Sequence, residues 1–139
     1  MILLFLTLDL LIYNLTTFNT YFFLAAFPWG KKENIPIIII AALILDLFYF
    51  NTFPIHLIIF IMIYLLNKLL FKKQNFLKYI YLTTLNFILY ISLTYLATNY
   101  QNLEIIYLLK FILINYLVNI IFYLLIFPIL KKIPKTQNK

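Results

Sequence analysis

Ten of the eleven lysines in this chain of 139 residues stand in three tight groups, with long apolar stretches between them. Lys31 and Lys32 form the first group, Lys68, Lys72, Lys73 and Lys78 the second, and Lys131, Lys132, Lys135 and Lys139 the third. A bilayer keeps short lysine-rich loops on its cytoplasmic side. A chain with this pattern crosses and returns between consecutive groups, so each interval holds an even number of spans. The expectation is an all-α fold, a multi-pass transmembrane helical bundle with both termini cytoplasmic.

Composition points the same way. Residues of hydrophobic type make up 65% of the chain and charged ones 11%, more apolar surface than a soluble core of this size buries. The net charge of +7 resides in loops and tail. It suits the anionic inner leaflet, at about 1 kcal/mol per surface lysine, rather than nucleic acid. Without cysteine there is no disulfide framework and no thiolate metal site. The N-terminus lacks a basic n-region and a small-residue cleavage site, which predicts a retained segment and not a signal peptide.

A helix needs ~20 residues to cross ~30 Å of hydrocarbon, or ~17 where the bilayer thins. The predicted spans are 2–13, 17–29, 35–50, 54–70, 76–98 and 103–130, followed by a basic tail at 131–139, all in one domain. Asn51, Thr52 and Pro54 supply one outer turn and the stretch from Asn99 to Asn102 another. The first 29 residues admit two readings, because Asn14, Thr16, Thr17, Asn19 and Thr20 interrupt the apolar run. Two short helices meeting at this break give six helices, the preferred reading. One kinked helix gives five.

Polar side chains inside spans mark the candidate sites, since an acid or lysine at a helix centre costs about 2.5–3.5 kcal/mol on insertion scales. Asp9, Asp46, Glu104 and Lys110 lie within or near spans. Glu104 suits the first turn of the last helix, where an acid favours the dipole. Asp46 has Ala41 and Ala42 beside it, and small residues next to an acid place that face inside the bundle. Asp46 and Lys110 read as similarly deep, so each is the expected counter-ion of the other, with a substrate or proton path as the alternative. Tyr79, Thr83, Asn86, Tyr90 and Thr94 fall at helical spacing, as do Asn115, Asn119 and Tyr123. Such stripes bond across helices, or else line a ligand pocket. Ser92 is the only serine and His56 the only histidine, and no acid stands at a triad spacing. His56 reads as an interfacial residue at the outer face. No phosphate loop and no metal-ligand cluster is present in the sequence, so no enzyme, cofactor or metal is expected.

One stretch carries a resemblance. Residues 24–32 read LAAFPWGKK and residues 41–66 read AALILDLFYFNTFPIHLIIFIMIYLL. This resembles the rod shape-determining protein MreD family: an apolar helix ending in a proline-plus-basic turn, then a helix with small residues and an LLLDL-like signature, a short polar turn and a further apolar helix. Asp46 falls on the family's aspartate and Tyr64 near the end of the fourth helix. Asn119, followed by apolar residues to Lys131 and Lys132, resembles the family's last segment. Ala41 and Ala42 stand where the family is rich in glycine. The resemblance implies a non-catalytic component of the cell-wall elongation machinery in the bacterial inner membrane, contributing to rod cell shape and peptidoglycan side-wall synthesis. The implied partners are membrane lipids and an MreC-like membrane protein, and through it MreB-like filaments and wall synthases. The family is also thought to share a fold with the substrate-binding subunits of energy-coupling-factor vitamin transporters, which form the alternative. On either reading Ala41, Ala42, Asp46, Tyr64, Lys110, Asn115 and Asn119 are the helix-packing or partner residues.

Overall fold

The computed structural model describes residues 1–29, 35–48, 54–70, 75–99 and 104–132. Among them the chain is all-helical, with six helical segments and no strand. These are α1 (Ile2–Thr16), a 3-10 helix (Phe22–Trp29), α2 (Ile35–Phe48), α3 (Ile55–Leu70), α4 (Phe76–Thr98) and α5 (Ile105–Lys132). The loops expected around Lys31, Asn51, Lys72 and Asn102, and the tail, lie outside the described residues.

Local sequence sets the ends. At the close of α1, Thr17 turns left-handed at φ 58°, and its N–H donates to the Tyr13 carbonyl at 2.8 Å. A β-branched residue is uncomfortable there, and the polar run that follows then reverses the chain. Pro36 sits in the first turn of α2, where a missing N–H leaves no bond unmade. Asn75, in extended geometry, precedes α4, and its carbonyl accepts the Tyr79 N–H at 2.9 Å.

Consecutive segments pack as three hairpins: α1 with the 3-10 helix, α2 with α3, and α4 with α5. The second segment departs from the expected 13-residue helix. It is eight residues of 3-10 geometry, which rises about 2.0 Å per residue and so covers ~16 Å. This short piece forms the centre of the molecule. Phe23, Leu24, Ala25, Ala26 and Phe27 are all buried, and the segment packs on α1, α3, α4 and α5. Phe23 and Phe27 meet Phe60 of α3 at ring distances of 5.3 and 5.2 Å, and Phe23 meets Tyr90 of α4 at 5.2 Å. Ala25 and Ala26 leave room for close approach, and the Tyr79 hydroxyl reaches the Ala25 carbonyl at 3.4 Å.

Among the described residues only α4 and α5, at 23 and 28 residues, are long and apolar enough to cross a membrane, by length and composition. They extend ~35 and ~42 Å at 1.5 Å per residue, whereas α1, α2 and α3 reach ~21–24 Å.

Candidate functional site

Two acids organise the interior, and both do the same thing. Asp9 of α1 is 5% exposed and faces the start of the 3-10 helix. Its Oδ1 accepts the Thr20 hydroxyl at 2.6 Å and the Phe22 N–H at 3.0 Å, and its Oδ2 accepts the Phe23 N–H at 3.0 Å. Asp46 of α2 is fully buried and faces the start of α3. Its Oδ1 accepts the His56 N–H at 3.0 Å and lies 2.8 Å from His56 Nδ1, while Oδ2 accepts the Leu57 N–H at 3.2 Å. The first N–H groups of a helix have no partner inside it, and the helix dipole favours negative charge there. Each aspartate therefore caps the helix that follows its own.

The third hairpin closes in a similar way with a neutral group. The Glu104 N–H, at the head of α5, donates to the Tyr95 hydroxyl of α4 at 3.3 Å. In all three hairpins a side chain from the first arm thus holds backbone at the start of the second.

Further polar groups tie the hairpins to one another. Asn67 of α3 and Asn86 of α4 exchange amide bonds at 2.8 and 3.2 Å. Asn119 Oδ1 accepts the Tyr21 N–H at 2.9 Å, and the Tyr123 hydroxyl donates to the Tyr21 carbonyl at 2.9 Å. Two side chains of α5 thereby satisfy both backbone groups of the residue leading into the 3-10 helix. Thr84 and Tyr116 share a hydroxyl bond of 2.7 Å between α4 and α5.

The predicted site residues fall as follows. Ala41 and Ala42 are completely buried on α2, on the side that carries Asp46. Asn115 and Asn119 are buried, with amides donating to Phe111 and Asn115 carbonyls of their own helix. Tyr64 is buried, and its hydroxyl meets no hydrogen-bond partner among the described residues. The stripe on α4 turns inward at Tyr79, Thr83, Asn86 and Tyr90. Lys110 is exposed on α5.

The expected pairing of Asp46 with Lys110 is therefore not what the structure shows: His56 and two N–H groups occupy the carboxylate. Burial explains the difference: Asp46 is completely buried, whereas Lys110 is exposed on the outside of α5. His56 is 3% exposed, with its ring 5.9 Å from that of Tyr90.

His56 is the residue that spacing alone could have found. Asp46 and His56 lie equally far from Asn51, the middle of the polar turn, so a hairpin folded there brings them face to face. No protein family, curated protein or solved structure matches the chain.

Proposed function

We propose that this chain is a multi-pass inner-membrane scaffold of the MreD kind, with its three hairpins embedded in the bilayer and both termini in the cytoplasm. It would act by binding rather than by catalysis, joining an MreC-like membrane protein to the cell-wall elongation machinery and so contributing to rod shape.

The observation that carries this reading is the use made of the two interior acids. Asp9 and Asp46 are committed to backbone N–H groups of neighbouring helices, so the charges read as architecture. The outward surface supports the membrane placement. Leu109, Leu113, Leu117, Ile121 and Leu124 all stand exposed along α5, and only 22% of its most apolar window is buried. A core helix of a soluble protein would be mostly covered, whereas a lipid-facing one is not. The short hairpins fit a membrane thinned around the protein, at a modest cost per ångström of mismatch.

Depletion in a rod-shaped host tests the function. The expected result is rounding of the cells, with recovery of an MreC-like single-span protein on affinity capture of the tagged chain. Tight binding of biotin, thiamine or riboflavin by the purified protein, with no change of shape on depletion, would favour the vitamin-transporter alternative and end the scaffold reading.

A further inference from the structure

Where α4 ends and α5 begins, the described residues line an open groove of about 470 Å³, a volume typical of small-molecule sites. Its wall is Tyr95 and Asn99 from the end of α4, with Glu104, Tyr107 and Phe111 from the head of α5. The three rings form a row. Tyr95 and Tyr107 lie 6.3 Å apart with planes inclined by 32°, and Tyr107 and Phe111 lie 6.4 Å apart at 24°. The rings are thus close to parallel, and the bond from the Glu104 N–H to the Tyr95 hydroxyl fixes one end of the row. Tyr107, in the middle, is 57% exposed.

The polar rim offers acceptors. The Asn99 amide already donates to the Thr98 hydroxyl at 2.9 Å and to the Tyr95 carbonyl at 3.4 Å, which leaves its Oδ1 to accept. The Glu104 carboxylate has no partner among the described residues, and an ionised carboxylate accepts without donating. A ligand that fits must bring donors together with an apolar face for the rings. An organic cation and a saccharide both do so. The start of α5 carries the positive end of its dipole, and Lys110 stands exposed one turn beyond Tyr107, so a cation is disfavoured. A pyranose is neutral. Its axial C–H bonds lay a slightly positive, apolar face on the negative faces of the rings, and its equatorial hydroxyls reach outward to the rim.

We propose that this groove binds a neutral β-linked oligosaccharide, stacked on Tyr95, Tyr107 and Phe111 and donating hydroxyls to Asn99 and Glu104. A row of rings suits a chain of sugars better than a single one, and links between equatorial positions keep such a chain flat. The inference rests on the groove alone and is independent of the scaffold reading.

The test is a saturation-transfer NMR titration of the purified full chain in a polyoxyethylene detergent, which has no sugar headgroup to compete. Chitotetraose and cellotetraose are the probes, with the α-linked, curved maltotetraose for comparison. The expected result is saturable binding of at least one β-linked probe, with maltotetraose weaker. Tyr107→Ala should leave Tm unchanged, because the ring is exposed, and should weaken binding by roughly tenfold or more. Tyr107→Phe should retain it, and Glu104→Ala should weaken it several-fold. No saturable binding of either β-linked probe would overturn the proposal, as would binding that is unchanged in both Tyr107→Ala and Glu104→Ala. Displacement of the saccharide by choline chloride at constant ionic strength would also overturn it, in favour of a cation site.

Discussion

At the scale of single residues, an aspartate in an apolar helix is explained by the next helix. Removing the charge at Asp46 leaves the His56 and Leu57 N–H groups with weaker acceptors. Hydrogen bonds to charged groups contribute about 1.5–3 kcal/mol each, so Asp46→Asn should lower stability by roughly 2 kcal/mol or more. His56→Phe removes the ring bond alone and should cost less. In a double-mutant cycle read by thermal unfolding in detergent, Asp46 and His56 should couple by about 1 kcal/mol or more, whereas Asp46 and Lys110 should be additive. Coupling of Asp46 to Lys110 would contradict the geometry described. Asp46 was legible in the sequence as an inward acid, since Ala41 and Ala42 flank it. Its partner carries no local mark of burial, and only the equal spacing of the two residues about Asn51 pointed to the pair.

At the scale of elements, the lysine groups left five or six helices open and the polar break after α1 favoured six, the number found among the described residues. Neither signal could disclose that the second is a 3-10 helix at the centre of the molecule. Both faces of that segment are apolar, so periodicity carries no signal about which side is covered. On α5, by contrast, the stripe of Asn115, Asn119 and Tyr123 did mark the covered side. The buried Ala25 and Ala26 make a prediction that follows from packing alone. Enlarging either to leucine should cost about 1–3 kcal/mol, since the segment meets helices on several sides. An enlargement at an outward position, Leu113→Phe, should be close to neutral. A second prediction concerns the amide pair between α3 and α4. Asn67→Leu or Asn86→Leu alone strands a buried amide and should destabilise by about 1–3 kcal/mol. The double replacement removes both polar partners, so it should recover much of that loss. If the double variant is simply as weak as the sum of the two, the amides are not each other's partners.

At the scale of the whole molecule, three hairpins closed in similar ways pack together around the 3-10 helix that is one arm of the first, and large apolar side chains are exposed on the outside. Such an apolar outside supports the proposed membrane placement, in which backbone groups must find partners inside the chain. The account stands or falls on which side of a membrane its turns lie. Single cysteines introduced as Thr52→Cys, Lys73→Cys, Gln101→Cys and Gln137→Cys can be probed on intact spheroplasts with a membrane-impermeant thiol reagent, and again after permeabilisation. The account predicts that the cysteines at 52 and 101 react in intact spheroplasts, while those at 73 and 137 react only once the membrane is opened. Labelling of all four in intact spheroplasts, or of the 73 or 137 position before permeabilisation, would contradict it.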